Sequence, residues 1–444
     1  MDKFVQKKQV EAETIKTVSG TKRKRHRSNS IEEMDAVLKK EAKVVESTSR
    51  VFSKNVIRWT LHNSLLIGQY IKKGDNFESR ANIAAFDLDD TLITTKGVHR
   101  FPKDANDWKW LNKKVPERLT KLYEEGYKII MISNQSVLNP GKKTGDKKRT
   151  EFKNKIGQIA DSLNISFEIY AAMAYDKYRK PMIGIWNYFV ENRNVGVTVD
   201  KENSFYVGDA AGRIENWKLG ASSDWTDTDR KFAENIGINF YAPEEFFDNA
   251  EVGSFSYKGF DPKKLPRDVP LFTPSSSSSQ LALPADQCEM VIFVGYPASG
   301  KSTFAKKWLV DAGYVHVNQD TLKTKQKCIR ACETALKENK SVVIDNTNPS
   351  KESRKQYIDI AKQCGVPVRC FWFKASEALA RHNNMYRHFN SENEIQPLPD
   401  IAFNVYNSKF FEPKLEEGFQ EIIHINFIFE GNDHERKIFN LWYS

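Results

Sequence analysis

The chain has 444 residues, 40% of them hydrophobic, and 68 Lys+Arg against 58 Asp+Glu give a formal net charge of +10. That length accommodates two or three domains with real cores; the sequence has no run of eighteen apolar residues to span a membrane, and it opens without the apolar stretch of a secretory signal. Five cysteines with no C-x-x-C pair argue against a disulfide framework or a zinc site and fit a reducing compartment, while the basic balance suits a polyanionic partner.

Residues 1–50 hold 13 Lys/Arg and 8 Asp/Glu. They are polar, poor in aromatics and without strand patterning, which predicts a disordered basic tail. Within it, Lys22-Arg-Lys-Arg-His-Arg27 reads as a nuclear localisation signal or a nucleic-acid contact, with a solubilising tail as the plainer reading. A first domain is expected over 51–252. Ala81–Phe86 reads as a buried strand ending in Asp87-Leu-Asp-Asp-Thr91, and Pro116–Glu125 as a helix. Tyr127–Ile132 reads as a strand ending in Ser133, and 151–163 as a helix. Phe167–Ala172 and Ser204–Val207 read as further strands, the last closing on Gly208-Asp209. Strands alternating with helices predict a parallel sheet covered on both faces, with ligands at the carboxyl ends of its strands. Lys142, Lys143, Lys147, Lys148 and Arg149 form a basic loop that could track a nucleic-acid backbone, with Trp108 and Trp110 either stacking on bases or filling the core.

Residues 253–286, with several prolines and Ser275–Ser279, read as a linker. A second α/β domain is expected over 287–444. Its strand Met290–Val294 ends at Gly295, and the helix-compatible run Phe304–Val310 follows. Between them stands G-x-x-x-x-G-K-S, in the strand–loop–helix context of a phosphate-binding loop. Glycines there let backbone N–H groups turn towards polyphosphate oxygens. Lys301 would reach the β- and γ-phosphates, and the Ser302 hydroxyl would help hold Mg²⁺. Gly295, Ser299, Gly300, Lys301, Ser302 and Thr303 are therefore the candidate contacts to a nucleoside triphosphate. Strand Tyr314–Val317 delivers Asp320, and strand Ser341–Ile344 delivers Asp345-Asn-Thr-Asn-Pro349. Leu322–Leu336 and Ala378–Arg387 have helical spacing, with a strand at Val368–Phe373 between them.

Asp87-x-Asp89-x-Thr91 at a strand end suits phosphoryl chemistry: one carboxylate attacks phosphorus, and a second, two residues on, protonates the leaving oxygen and later activates water. Alone this is a weak pattern that a chance acidic turn can produce. Followed in order by Ser133, Arg179-Lys180-Pro181 and Gly208-Asp209, it resembles the haloacid-dehalogenase-type phosphatases. The resemblance implies that Asp87 is the nucleophile and Asp89 the general acid/base, with Ser133 and Lys180 on the phosphoryl oxygens. It implies a Mg²⁺ site drawn from Asp87, Asp89, Asp209 and a later acid, Asp229 or Asp227. Asp90 departs from the glycine usual in that family.

A phosphatase of this type followed by a phosphate-loop kinase resembles the animal-type polynucleotide kinase/3′-phosphatases, over roughly residues 55–444. The strings that carry it include Thr91-Leu-Ile-Thr-Thr95, Gly208-Asp-Ala-Ala-Gly-Arg213, Val315-His-Val-Asn-Gln-Asp-Thr-Leu322 and Ala380-Arg-His-Asn-Asn384. The implied fold class is α/β, a haloacid-dehalogenase-like Rossmannoid phosphatase domain followed by a P-loop kinase domain, each with a mostly parallel sheet. By resemblance, Asp320 takes the proton of a 5′-hydroxyl, unless it is merely the N-cap before Thr321. Arg381 matches a lid arginine, with Arg387 beside it and Arg354 a weaker candidate, and Asp345–Asn348 shape the substrate or metal side. The implied activity is end healing with Mg²⁺ and ATP: 3′-phosphate removal through an aspartyl-phosphate and phosphorylation of a 5′-OH. The implied setting is a nuclear monomer acting on DNA ends, with repair ligases or scaffolds as partners and no membrane. Animal members usually begin with a forkhead-associated domain, for which the residues before the phosphatase are too few. RNA end healing and a non-catalytic end-binding scaffold are the rival readings.

Overall fold

In a computed structural model, residues 56–99, 102–274, 285, 287–391 and 395–444 are described. The basic cluster and the rest of the 1–50 tail lie outside them. Asn63 takes the left-handed backbone (φ 53°), which asparagine tolerates better than most residues. It turns β1 (Arg58–His62) back on β2 (Leu65–Tyr70) as an antiparallel hairpin. Then come β3 (Ile83–Phe86), a small ladder of β4 (Ile93–Thr94) and β5 (Lys109–Trp110), α1 (Lys114–Glu124), β6 (Lys128–Asn134) and α2 (Gly145–Leu163). β7 (Phe167–Ala172), α3 (Gly184–Asn192), β8 (Phe205–Val207), α4 (Thr228–Ile236), β9 (Asn239–Tyr241) and α5 (Pro243–Asp248) complete the unit.

The seven large strands form one sheet in the order β1-β2-β7-β6-β3-β8-β9. From β7 to β9 all neighbours are parallel; β2 joins β7 antiparallel. Successive residues of β3 face opposite sides, as the pleat requires. Ala84 and Phe86 pack with α1 (Val115, Leu119, Leu122) and α2 (Phe152, Ile156, Ile159). Ile83 and Ala85 pack with α3 (Ile185, Trp186, Phe189) and α4 (Phe232, Ala233, Ile236). Because β6 and β8 flank β3 after crossovers to opposite sides, the carboxyl end of β3 is a topological switch point, where such sheets open a crevice.

The second unit contains β10 (Phe272–Pro274), β11 (Met290–Val294), α6 (Lys301–Phe304), β12 (Val315–Val317), α7 (Gln319–Leu322) and α8 (Lys325–Lys337). β13 (Val342–Ile344), α9 (Lys351–Gln363), β14 (Val368–Phe373), α10 (Glu377–Asn390), α11 (Asp400–Lys409), β15 (Glu421–Ile425) and α12 (Asp433–Phe439) follow. The sheet order is β10-β15-β14-β11-β13-β12, parallel except for β10. The run after the phosphate-loop motif is helical only as far as Phe304; Ala305–Val310 loosens into a π-turn. Cys328 and Cys332 are both buried on one face of α8 in the core.

The stretch read as a linker is ordered from Gly253 to Pro274. Phe255 bridges to Arg213, Tyr257 packs on Trp442 (4.8 Å), Phe260 packs on His382 (5.2 Å), and Phe272–Pro274 becomes an edge strand of the second sheet. Aromatic side chains spaced through a proline-rich segment give it apolar contacts that composition alone hides.

Candidate active sites

Asp87, Ser133 and Asp209 follow or end β3, β6 and β8, so three neighbouring strands deliver them to one crevice. Asp229 enters from the first turn of α4. Carboxylate oxygens of Asp87, Asp209 and Asp229 lie within 4.8 Å of one another. Lys180 is buried among them, its Nζ 2.6 Å from Asp87, 2.7 Å from Asp229, 2.6 Å from the Tyr206 hydroxyl and 2.9 Å from the Ile132 carbonyl. Its backbone is gripped by Asn134, which accepts from the Lys180 N–H (3.0 Å) and donates to the Lys180 carbonyl (3.2 Å). The Asp209 N–H donates to Thr91 Oγ1 (3.0 Å) and the Ala210 N–H to Asp229 (3.1 Å), fixing both acids.

Burial is the strongest influence on Asp87. With Asp229 and Asp89 close by, it pushes that carboxyl up to about 7 against the pull of Lys180. Burial, then Asp87 and Asp229, hold Asp209 well above the usual carboxylate range. Burial draws Lys180 down, but Asp229 and Asp87 outweigh it and raise it. Three acids, Asp87 and Asp229 buried and Asp209 half-buried, facing one lysine leave uncompensated negative charge, which a hard divalent cation with oxygen ligands would relieve.

Asp89 stands apart from that cluster. Its carboxylate accepts from Gln135 Nε2 (2.6 Å) and pairs with Lys155 (3.1 Å). Asp89, expected on the metal side, is not in the Asp87–Asp209–Asp229 group; its two oxygens face Gln135 and Lys155. Asp227 is likewise turned away, paired with Lys231 (3.0 Å) and accepting from the Lys258 N–H (2.7 Å), and of the two candidates Asp229 is the one in the cluster. Asp90 has φ 58°, which accounts for a glycine being suited to that turn. Gln135, which also donates to Ser133 Oγ (2.9 Å), Lys155 and Tyr206 were missed from sequence. Only Gln135, two residues beyond Ser133, carried any local signal.

Gly208 packs so tightly on Asp229 that an added Cβ would lie 2.4 Å from Oδ2. Gly208→Ala is expected to displace Asp229 and lower turnover at this crevice by about 100-fold, leaving the second site untouched. Steady-state assays of both activities check this.

The second site lies where β11 ends. Gly295 must be glycine because a Cβ would meet Phe373 Cβ at 2.8 Å. Ala298 (φ 59°) and Gly300 (φ 91°) bend the loop into the start of α6. Lys301 is buried and folded onto the loop's own oxygens, donating to the Gly295 and Tyr296 carbonyls and to Ser299 Oγ. Burial lowers its ammonium to about 8, although Asp345 and Asp320 pull it back up. Burial acts against the charge of Asp345, but His316, which hydrogen-bonds it (2.9 Å), together with the nearby Ser302 hydroxyl and Lys301, holds the carboxyl low. Asp345 Oδ1 is buried without a partner among the described residues. An orphaned carboxylate oxygen beside the Ser302 hydroxyl fits a divalent cation bridging to phosphates.

A cavity of about 540 Å³ opens over Ala298–Thr303, with Trp308, Tyr386, Phe427 and Phe429 in its wall. That size and apolar lining suit a nucleotide base. Asp320 is exposed on α7 and close enough to act on the Lys301 and Arg387 charges; the N-cap of α7 is Asn318, whose Oδ1 accepts from the Asp320 and Thr321 N–H groups. Asp320 therefore does not serve as the cap.

Arg381, expected as a lid arginine, does not line the cavity. Arg381 pairs with Glu377 (2.8 Å) and Asp400 and stacks over Phe403, all on the α11 side. Arg387 lines the cavity, with a buried Nε that has no partner among the described residues. Six helical positions turn the side chain by roughly 240°, so the two arginines leave α10 on different faces. Arg354 is fully buried, pairing with Glu417 (2.7 Å) and holding the Asn348 and Pro349 carbonyls. Arg387→Ala is expected to lower turnover at this site by about 100-fold or more, and Arg381→Ala by only a few fold. Single-turnover assays with saturating nucleotide compare them.

Of the basic stretch, Lys142, Lys143 and Lys147 are exposed, whereas Arg149 is buried and donates to the Leu138 carbonyl (2.9 Å). Trp108 and Trp110 contact each other edge-on (5.5 Å), pack against the core and donate to Gln158 and Ser162.

Residues 82–247 match the family described as Polynucleotide kinase 3 phosphatase, and residues 290–413 match the AAA domain family. The chain is 42% identical over 385 residues to the Bifunctional polynucleotide phosphatase/kinase of Schizosaccharomyces pombe, covering 86% of this chain and 88% of that one. It is 30% identical to the Polynucleotide 3′-phosphatase ZDP of Arabidopsis thaliana, over 50% of this chain and 32% of that one. The Polynucleotide 3′-phosphatase of Saccharomyces cerevisiae is 27% identical, over 39% of this chain and 90% of its own.

Proposed function

The chain belongs to the bifunctional polynucleotide phosphatase/kinase family, and on that premise we propose that it heals broken DNA ends in strand-break repair. The observation that carries the reading is the presence of two built phosphoryl sites in one chain, the Asp87–Lys180–Asp209–Asp229 crevice and the Lys301 loop with its nucleotide-sized cavity.

At the first site, Asp87 attacks the phosphorus of a 3′-phosphate. The bond to the 3′-oxygen breaks, and Asp89 supplies the proton that oxygen needs. Asp89 then takes a proton from the water that attacks the aspartyl-phosphate, releasing inorganic phosphate and restoring Asp87. Ser133 and Lys180 hold the phosphoryl oxygens. Asp87, Asp209 and Asp229 would hold Mg²⁺, which offsets charge repulsion between nucleophile and phosphate. At the second site, Lys301 and the loop N–H groups hold ATP, and Ser302 with Asp345 would hold its Mg²⁺. Asp320 accepts the proton of the 5′-hydroxyl as its oxygen displaces ADP from the γ-phosphorus, and Arg387 faces the developing charge.

Exposed Lys142, Lys143 and Lys147 offer charge to the DNA backbone. The Lys22–Arg27 cluster directs the enzyme to the nucleus, where it acts as a monomer beside a ligase or scaffold partner. Matched DNA and RNA oligonucleotides carrying 3′-phosphate and 5′-OH test the substrate. Faster turnover of DNA supports the reading; faster turnover of RNA replaces it with RNA end healing.

A further inference from the structure

The last described stretch of the kinase half does not stay on the kinase half. Trp442 is buried, its ring over Tyr257 (4.8 Å) and under the Lys231 ammonium (4.6 Å). Its backbone N–H donates to Asn235 Oδ1 (2.8 Å), and its carbonyl accepts from Asn235 Nδ2 (2.9 Å). The same Nδ2 donates to the Pro181 carbonyl at 2.9 Å. Asn235 thus ties the kinase segment to the peptide unit beside Lys180, the residue that contacts both Asp87 and Asp229.

On the kinase side the segment is equally anchored. His382 hydrogen-bonds the Phe439 carbonyl (2.8 Å), Tyr443 stacks on Phe389 (5.7 Å), and Phe439 is fully buried against Phe427 and Phe429. His382 is drawn down to about 4 by burial, so the neutral ring donates to that carbonyl.

We infer that Phe439–Tyr443 forms part of the phosphatase active-site framework, with Asn235 as the positioning residue through which it sets Lys180. The inference rests on the phosphatase reading above. The physical ground is that two side-chain amides hold the Lys180–Pro181 backbone, Asn134 at Lys180 itself and Asn235 at Pro181. Asn235 has one acceptor and two donors engaged, and it is oriented by a backbone that the kinase half supplies. Removing one point of suspension lets the Lys180 ammonium shift relative to phosphorus, and sub-ångström placement governs turnover more than binding.

The test measures kcat and KM for 3′-phosphate release, and kcat for 5′ phosphorylation, in the full chain and in Asn235→Ala, Trp442→Ala and the double variant. The expected result is a phosphatase kcat lowered about tenfold in each single variant. KM should stay within about twofold, kinase kcat should be unchanged, and the double variant should be no worse than the worse single, because both act through one contact. An Asn235→Ala phosphatase kcat within twofold of the parent overturns the inference. So does a loss carried by KM alone, which would make Asn235 a substrate contact, or a parallel fall in both activities, which would make the segment a folding brace. A parent chain that releases no 3′-phosphate removes the underlying reading itself, an outcome distinct from an active parent with an indifferent variant.

Discussion

Asp87→Ala is expected to abolish 3′-phosphate removal, by at least about 10⁴-fold, while 5′ phosphorylation proceeds at the parent rate. No other carboxylate can take its place. Asp209 and Asp229 are fixed by backbone N–H groups and Thr91 within the same cluster, and Asp89 is turned towards Gln135 and Lys155. The substitution also removes one of the negative charges around Lys180, so folding should not suffer. Asp87→Asn, which keeps size and hydrogen bonding, should lose as much activity, because the amide is no nucleophile. Phosphate release from a 3′-phosphorylated oligonucleotide, followed beside kinase turnover, checks both variants.

Lys301→Ala is expected to lower 5′ phosphorylation by about 10³-fold and to leave the phosphatase at parent activity. Lys301 is the buried cation at the centre of the loop, already satisfied by loop oxygens that phosphate oxygens would replace. Its depressed value of about 8 adds a pH signature. Below pH 8 the empty site holds an ammonium ready for phosphate. As pH rises through 8 the free enzyme loses that charge, so ATP affinity should weaken on the alkaline side, and Lys301→Ala should lack this limb. Calorimetric titration with a non-hydrolysable ATP analogue from pH 6.5 to 9.5 measures it.

The strands that bear the chemistry were legible because buried parallel strands are continuous apolar runs that end abruptly in polar residues. Ile83–Phe86 before Asp87, Lys128–Asn134 around Ser133 and Met290–Val294 before Gly295 all have this form. The edge strands β1 and β9 have mixed exposure, and they left no such run. Side-chain direction was less legible than position. Asp227 and Asp229 are two residues apart, yet only the start of α4 decides which one faces Gly208. Arg381 and Arg387 lie on one basic helix, and only its packing on α11 decides which lines the cavity. Lys155 could not be read at all, because its pairing with Asp89 brings together residues 66 positions apart. The packing of the 253–274 segment was not legible, because proline and glycine mark loops without saying whether a loop is packed.

The most direct test uses a nicked DNA duplex bearing 3′-phosphate and 5′-OH at the nick, with ATP and Mg²⁺, following both ends in the parent, Asp87→Ala and Lys301→Ala chains. The account predicts that the parent converts both ends, that Asp87→Ala converts only the 5′ end, and that Lys301→Ala converts only the 3′ end. A parent that changes neither end, or a single substitution that silences both, would contradict two independent phosphoryl sites on one chain.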